Sequence, residues 1–186
     1  MLVNCPRRLP RAARGATLIE LCIAMAIAVM LIVIAVPGYT TWVADGQIRA
    51  GAESIVTGMR FAYAEAIKRN QQVEFVLVPT TGTGLWTART VTGTVVERGY
   101  FSEAAKLAAF GTAPAGATTV TFTGLGAINA TNADASPVLT QVDVTHSNGA
   151  IANTRPLRIL VGGGRTGIKL CDPAVADTTS PRYCTT

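Results

Sequence analysis

Between Ala16 and Val36 the only charged residue is Glu20. A run of about twenty apolar residues is long enough to cross a bilayer as a helix. A carboxylate inside such a span is costly, so it marks a functional site whose partner has to be found. Upstream stand Arg7, Arg8, Arg11 and Arg14, the basic flank that holds an amino terminus in the cytoplasm. A secretory signal does not fit, because its small-residue cleavage site follows the apolar run. Here Gly15 and Ala16 precede it. A plain membrane anchor accounts for the arginines but gives Glu20 no purpose.

Gly15 followed by Ala-Thr-Leu-Ile-Glu resembles the type III signal of type IV prepilins and type II secretion pseudopilins. The resemblance implies that a prepilin peptidase of the inner membrane cuts between Gly15 and Ala16 and methylates the new amino terminus. Glu20 then becomes the fifth mature residue, and Pro37 falls where pilins often carry a helix-kinking proline. The first mature residue is Ala16, where the family usually has Phe. The cleavage also creates a cation, the amino terminus of Ala16. The resemblance pairs it with Glu20 of a neighbouring subunit, setting register as a subunit leaves the bilayer.

The chain has 16 basic and 11 acidic residues, a net of +5. Four of the basic residues lie in the leader, so twelve face eleven in the remainder, about +1. Composition therefore gives no argument for nucleic acid. About 150 residues remain beyond the leader and span, enough for one domain with its own core.

Cys5 leaves with the leader, and Cys22 packs as a small apolar residue in the span. Cys171 and Cys184 frame a short carboxyl-terminal segment in a domain expected to face an oxidising compartment, which predicts a disulfide. A metal site is the alternative, but the chain has one His and no CxxC. No metal and no cofactor are expected.

The organisation predicted is a leader at 1–15, a transmembrane helix at 16–36, an amphipathic continuation at 37–70 and a β-rich periplasmic domain at 71–186. Ile48, Ala52, Ile55, Met59, Ala62 and Ala66 recur at spacings of four and three, which places them on one helix face. Arg49, Glu53, Arg60 and Lys68 fall elsewhere. Pro37-Gly38, Gly46, Gly51 and Gly58 read as weak points in that helix, and Asn70 as its stop.

Beyond it, strands are expected at 73–78, 86–91, 94–100, 118–123, 140–145, 156–161 and 167–170. Thr92-Gly93 turns a hairpin, and 127–137 reads as a flexible loop. The fold class is α+β: a long amino-terminal helix, first transmembrane and then amphipathic, packed on antiparallel sheet as in type IV pilins.

A narrower resemblance follows. Phe61-Ala-Tyr-Ala-Glu-Ala-Ile-Lys-Arg-Asn70, then a strand and Trp86, is similar to the segment defining the FimT/GspH family of minor pilins and pseudopilins. Gly164-Arg165, Ile168-Lys169-Leu170-Cys171-Asp172-Pro173 and Cys184 resemble its FimT side. That implies a minor pilin acting in pilus assembly or priming, with other pilin subunits as partners, or alternatively a pseudopilin of type II secretion. Some FimT-like pilins bind DNA through a Gly-Arg-x-Arg motif. This chain has Gly164-Arg165-Thr166-Gly167, so the second Arg is missing. Arg165, Lys169, Arg158 and Arg182 are the candidate contacts to phosphates of double-stranded DNA, without sequence preference.

Other apparent motifs carry less. Gly162-x-Gly164-x-x-Gly167 matches a dinucleotide fingerprint, but no βαβ unit can follow it before Thr186. Asp143, His146 and Ser147 are too close in sequence to form a triad, and no oxyanion hole is marked. Trp86 and the phenylalanines read as core. No enzyme is expected.

Overall fold

The computed structural model describes residues 17–78, 85–100, 105–149, 151, 153–162 and 167–184. Helix α1 spans Leu18–Arg69. Among the described residues eight strands follow: β1 Val73–Val78, β2 Leu85–Thr90, β3 Val95–Tyr100, β4 Ala108–Ala113, β5 Thr119–Phe122, β6 Gln141–His146, β7 Leu157–Val161 and β8 Ile168–Cys171. They form two four-stranded antiparallel sheets, ordered β3-β2-β1-β5 and β4-β6-β7-β8. One helix and two antiparallel sheets make the α+β, pilin-like architecture expected.

The chain divides into two compact units, Met1–Gly38 and Tyr39–Thr186. In the first, every described residue is exposed, including Leu18, Ile23, Met30 and Ile34. This is the part of α1 long and apolar enough to cross a membrane.

In the second unit α1 has a core face. Ile48, Ala52, Ile55, Met59, Ala62 and Ala66 are fully buried, while Arg49, Glu53, Arg60 and Lys68 are exposed. Both follow from the 3.6-residue period. The glycines expected as weak points divide into two kinds. A Cβ at Gly46 would meet nothing within 4 Å, so this residue is free of packing demands. A Cβ at Gly51 would lie 3.1 Å from the Ala108 Cβ, and one at Gly58 only 2.6 Å from the Trp86 ring. Seven residues apart, these two glycines lie on one face and let the helix backbone approach the two sheets in turn.

The helix ends at Asn70, which adopts a left-handed φ of 48°. The Asn70 amide donates to the Ile67 carbonyl and the Gln71 amide to the Ala66 carbonyl, a Schellman closure of the last turn. Glu65 is buried one turn earlier and accepts from Arg69 Nε at 2.6 Å and Lys68 Nζ at 3.0 Å. Its carboxyl is held below the ordinary value, first by the Arg69 hydrogen bond and then by that of Lys68.

In the first sheet, Val73, Phe75 and Leu77 of the central β1 are buried, with Val120 and Phe122 of β5 beside them. Glu74, on the opposite face of β1, pairs with Arg89, its register partner on β2, at 2.9 Å. Ala108, Val142, Val144, Ile159, Val161 and Ile168 of the second sheet join the same buried cluster as α1.

Two features differ from expectation. Ala108-Ala-Phe-Gly-Thr-Ala113 forms β4, which its small residues do not announce. Its six residues pair in unbroken register with β6, and Ala108 and Phe110 fill the space that Gly51 leaves. The second is the segment 127–137, expected to be flexible. It is pinned by buried Asn132, whose amide donates to the carbonyls of Thr119, Ser136 and Pro137, while its oxygen accepts from the Thr121 hydroxyl at 2.9 Å.

Candidate functional site

Thr17 begins α1 as its cap. The Thr17 hydroxyl accepts from the Glu20 amide at 3.3 Å, and its carbonyl from the Leu21 amide at 3.2 Å. Glu20 thus occupies the third helical position, where a carboxylate complements the helix dipole. Among the described residues its carboxylate has no partner, and it is exposed in the single chain. The cleavage pair Gly15 and Ala16 lies outside the described residues. Pro37 stands inside α1, and the helix continues through it. Cys22 is a free, exposed thiol on the same segment.

Cys171 and Cys184 form a disulfide, with Cα atoms 5.2 Å apart. The loop between them is organised by its aspartates. The Asp172 amide donates to the Arg182 carbonyl at 2.9 Å, and Arg182 Nη2 to Asp172 Oδ2 at 3.0 Å. Asp177 accepts from both the hydroxyl and the amide of Thr179, which hold its carboxyl below the ordinary range.

The four candidate phosphate contacts are not gathered in one place. Arg158 lies opposite Asp143 in the β6–β7 register, and its Nε donates to Asp143 Oδ1 at 2.6 Å. Lys169 is the register partner of Leu160, so it shares with Arg158 the sheet face turned away from α1. Arg182 belongs to the helix side, where it lines a cleft with Arg49 and Arg155. Arg165 and Gly164 lie outside the described residues.

The remaining motifs resolve simply. His146 Nε2 lies 3.1 Å from Gln47 Oε1 of α1, while Asp143 is engaged by Arg158 and Gln141. Histidine and aspartate therefore serve different neighbours. Trp86 is a core residue: it stacks on Phe75 with ring centroids 5.8 Å apart, and its indole N–H faces the Ser54 hydroxyl at 3.4 Å. Arg49, read from the sequence only as a solvated helix position, is the cleft residue that periodicity could not reveal. Its juxtaposition with Arg155 and Arg182 depends on how β7 and the carboxyl-terminal loop fold back on the helix.

An apolar helix begun by a capped turn bearing one acid, and continued into a helix face packed on two antiparallel sheets, defines a pilin-like subunit. The profile of the family described as Type II transport protein GspH matches residues 51–164. The chain belongs to this family. No curated protein and no solved structure matches it.

Proposed function

We propose that the protein is a minor pilin of the FimT kind, acting in the assembly or priming of a type IV pilus. Its single-pass helix would lie in the bacterial inner membrane with the β-rich domain in the periplasm. One observation carries this reading. The first unit presents an uncovered apolar helix whose single acid, Glu20, has no partner among the described residues. Such a surface calls for lipid before assembly and neighbouring subunits after it. On this reading prepilin peptidase cuts between Gly15 and Ala16, and the Ala16 amino terminus of one subunit meets Glu20 of the next.

The second reading is a pseudopilin of a type II secretion machine, favoured by the family description itself. The physics of helix and domain is the same in both machines. DNA capture draws less support, since Arg158 and Lys169 lie on the sheet face turned away from α1 while Arg182 lies on the helix side.

An in-frame deletion separates the readings. Loss of sheared surface pili supports the minor pilin. Intact pili with failed export of secreted enzymes supports the pseudopilin, and intact pili with lost DNA uptake supports the receptor.

A further inference from the structure

A cleft of about 460 Å³ opens on the helix side of the second sheet, lined by Arg49, Arg155, Leu157, Leu170, Asp172 and Arg182. The buried end of the disulfide, Cys171, also borders it. Three guanidinium groups therefore meet at one concavity. Each carries five N–H donors and stays charged at every physiological pH.

Their partners occupy only part of that capacity. Arg49 spends its Nε on Glu53 at 2.8 Å, and Arg182 spends Nη2 on Asp172 at 3.0 Å. The Arg155 backbone amide donates to Asp45 at 2.7 Å. Among the described residues the Arg155 guanidinium has no acceptor at all. All three arginines are exposed, so the charge costs nothing to hold there, and the donors are available to a visitor.

The shape and lining select the visitor. A guanidinium fork matches a carboxylate or a phosphate. Leu157 and Leu170 add an apolar wall beside the cations, and Leu170 is 36% exposed. Duplex phosphates could meet the cations but would leave the apolar wall unused. An acidic side chain with an apolar neighbour fits both the cations and the wall.

We propose that this cleft is a docking site for an acidic, apolar-flanked segment of a protein partner, its carboxylate held by Arg155 between Arg49 and Arg182. The inference goes beyond the filament reading and holds whichever machine the protein serves. The Cys171–Cys184 disulfide closes the loop that carries Asp172 and Arg182 beside the cleft.

The test uses the full chain in detergent micelles and the peptide acetyl-Leu-Glu-Leu-amide, with its Gln counterpart as control, titrated by NMR. The Glu peptide should bind saturably and about tenfold or more tighter than the Gln peptide. Arg155→Gln, which breaks no ion pair among the described residues, should remove that preference while thermal melting stays unchanged. Equal binding of the two peptides, or an undiminished preference in Arg155→Gln, overturns the proposal. So does displacement of the Glu peptide by inorganic phosphate or a duplex oligonucleotide at lower concentration than the peptide itself requires, since phosphate would then be the ligand.

Discussion

Trp86 of β2 lies directly over Gly99, its register partner on β3, so closely that a Cβ at residue 99 would stand 2.0 Å from the indole ring. The other side of the ring meets α1 at Gly58, where a Cβ would be 2.6 Å away. The indole is thus held against two glycines, Gly58 of α1 and Gly99 of β3. The slot is defined by absent side chains.

Filling it should be costly. Gly99→Ala and Gly58→Ala are each expected to destabilise the domain by about 1–3 kcal/mol, the usual range for overpacking. Gly46→Ala makes the contrast, because its Cβ meets nothing within 4 Å. It should stabilise by about 0.5–1 kcal/mol through helix propensity alone. Denaturant unfolding followed by tryptophan fluorescence measures all three, and equal effects at positions 46 and 58 would contradict the slot.

Asn132 holds a loop that has no strand of its own. Its amide reaches four acceptors on Thr119, Ser136 and Pro137, and it is 4% exposed. Asn132→Ala leaves the buried Thr121 hydroxyl without its acceptor and unpins the Ser136 and Pro137 carbonyls, and should cost about 1–3 kcal/mol. Asn132→Asp should be worse, since it turns carboxylate oxygens toward those carbonyls. Hydrogen exchange at Asn129 and Leu139, whose amides bond Thr121 and Thr119, reports the loosening locally.

Glu65 gives the domain a pH dependence of known sign. Its folded pKa lies below the ordinary 4.5, because the charged form is bonded to Arg69 and Lys68. The stabilisation is therefore complete above the unfolded value and disappears as pH falls through the folded one. The stability difference between the natural chain and Glu65→Gln should be constant from neutral pH to about 5, then shrink below 4.5. A difference that does not shrink at all as the pH falls below 4.5 would mean that packing, not charge, sustains the contact.

The sequence announces features that repeat locally and hides those that depend on register. The buried helix face follows from residues three and four apart, and Asn70 marks the helix end because few residues tolerate its backbone angle. Seven of the eight described strands lie within a residue or so of the runs expected from the sequence. β4 does not, and exists because β6 pairs with it and Gly51 leaves room for its side chains. The same limit hid the fate of the cations. Arg158 and Asp143 are fifteen residues apart, and only the β6–β7 register sets them opposite each other.

The assembly reading places its greatest weight on Glu20. In the single chain the Thr17 hydroxyl caps the helix through the Glu20 backbone amide, so the cap does not require the Glu20 side chain. Glu20→Gln should therefore leave α1 and its processing intact while removing the charge. If the carboxylate meets a neighbouring amino terminus in a water-poor bundle, losing one partner costs about 3–5 kcal/mol per contact. Recovery in sheared filaments should then fall by more than about tenfold relative to total membrane protein. Thr17→Ala supplies the opposite case, weakening the cap by about 1 kcal/mol with the charge retained, and should reduce recovery only slightly. Normal recovery of Glu20→Gln, with the leader removed as usual, would show that the acid is not used in assembly.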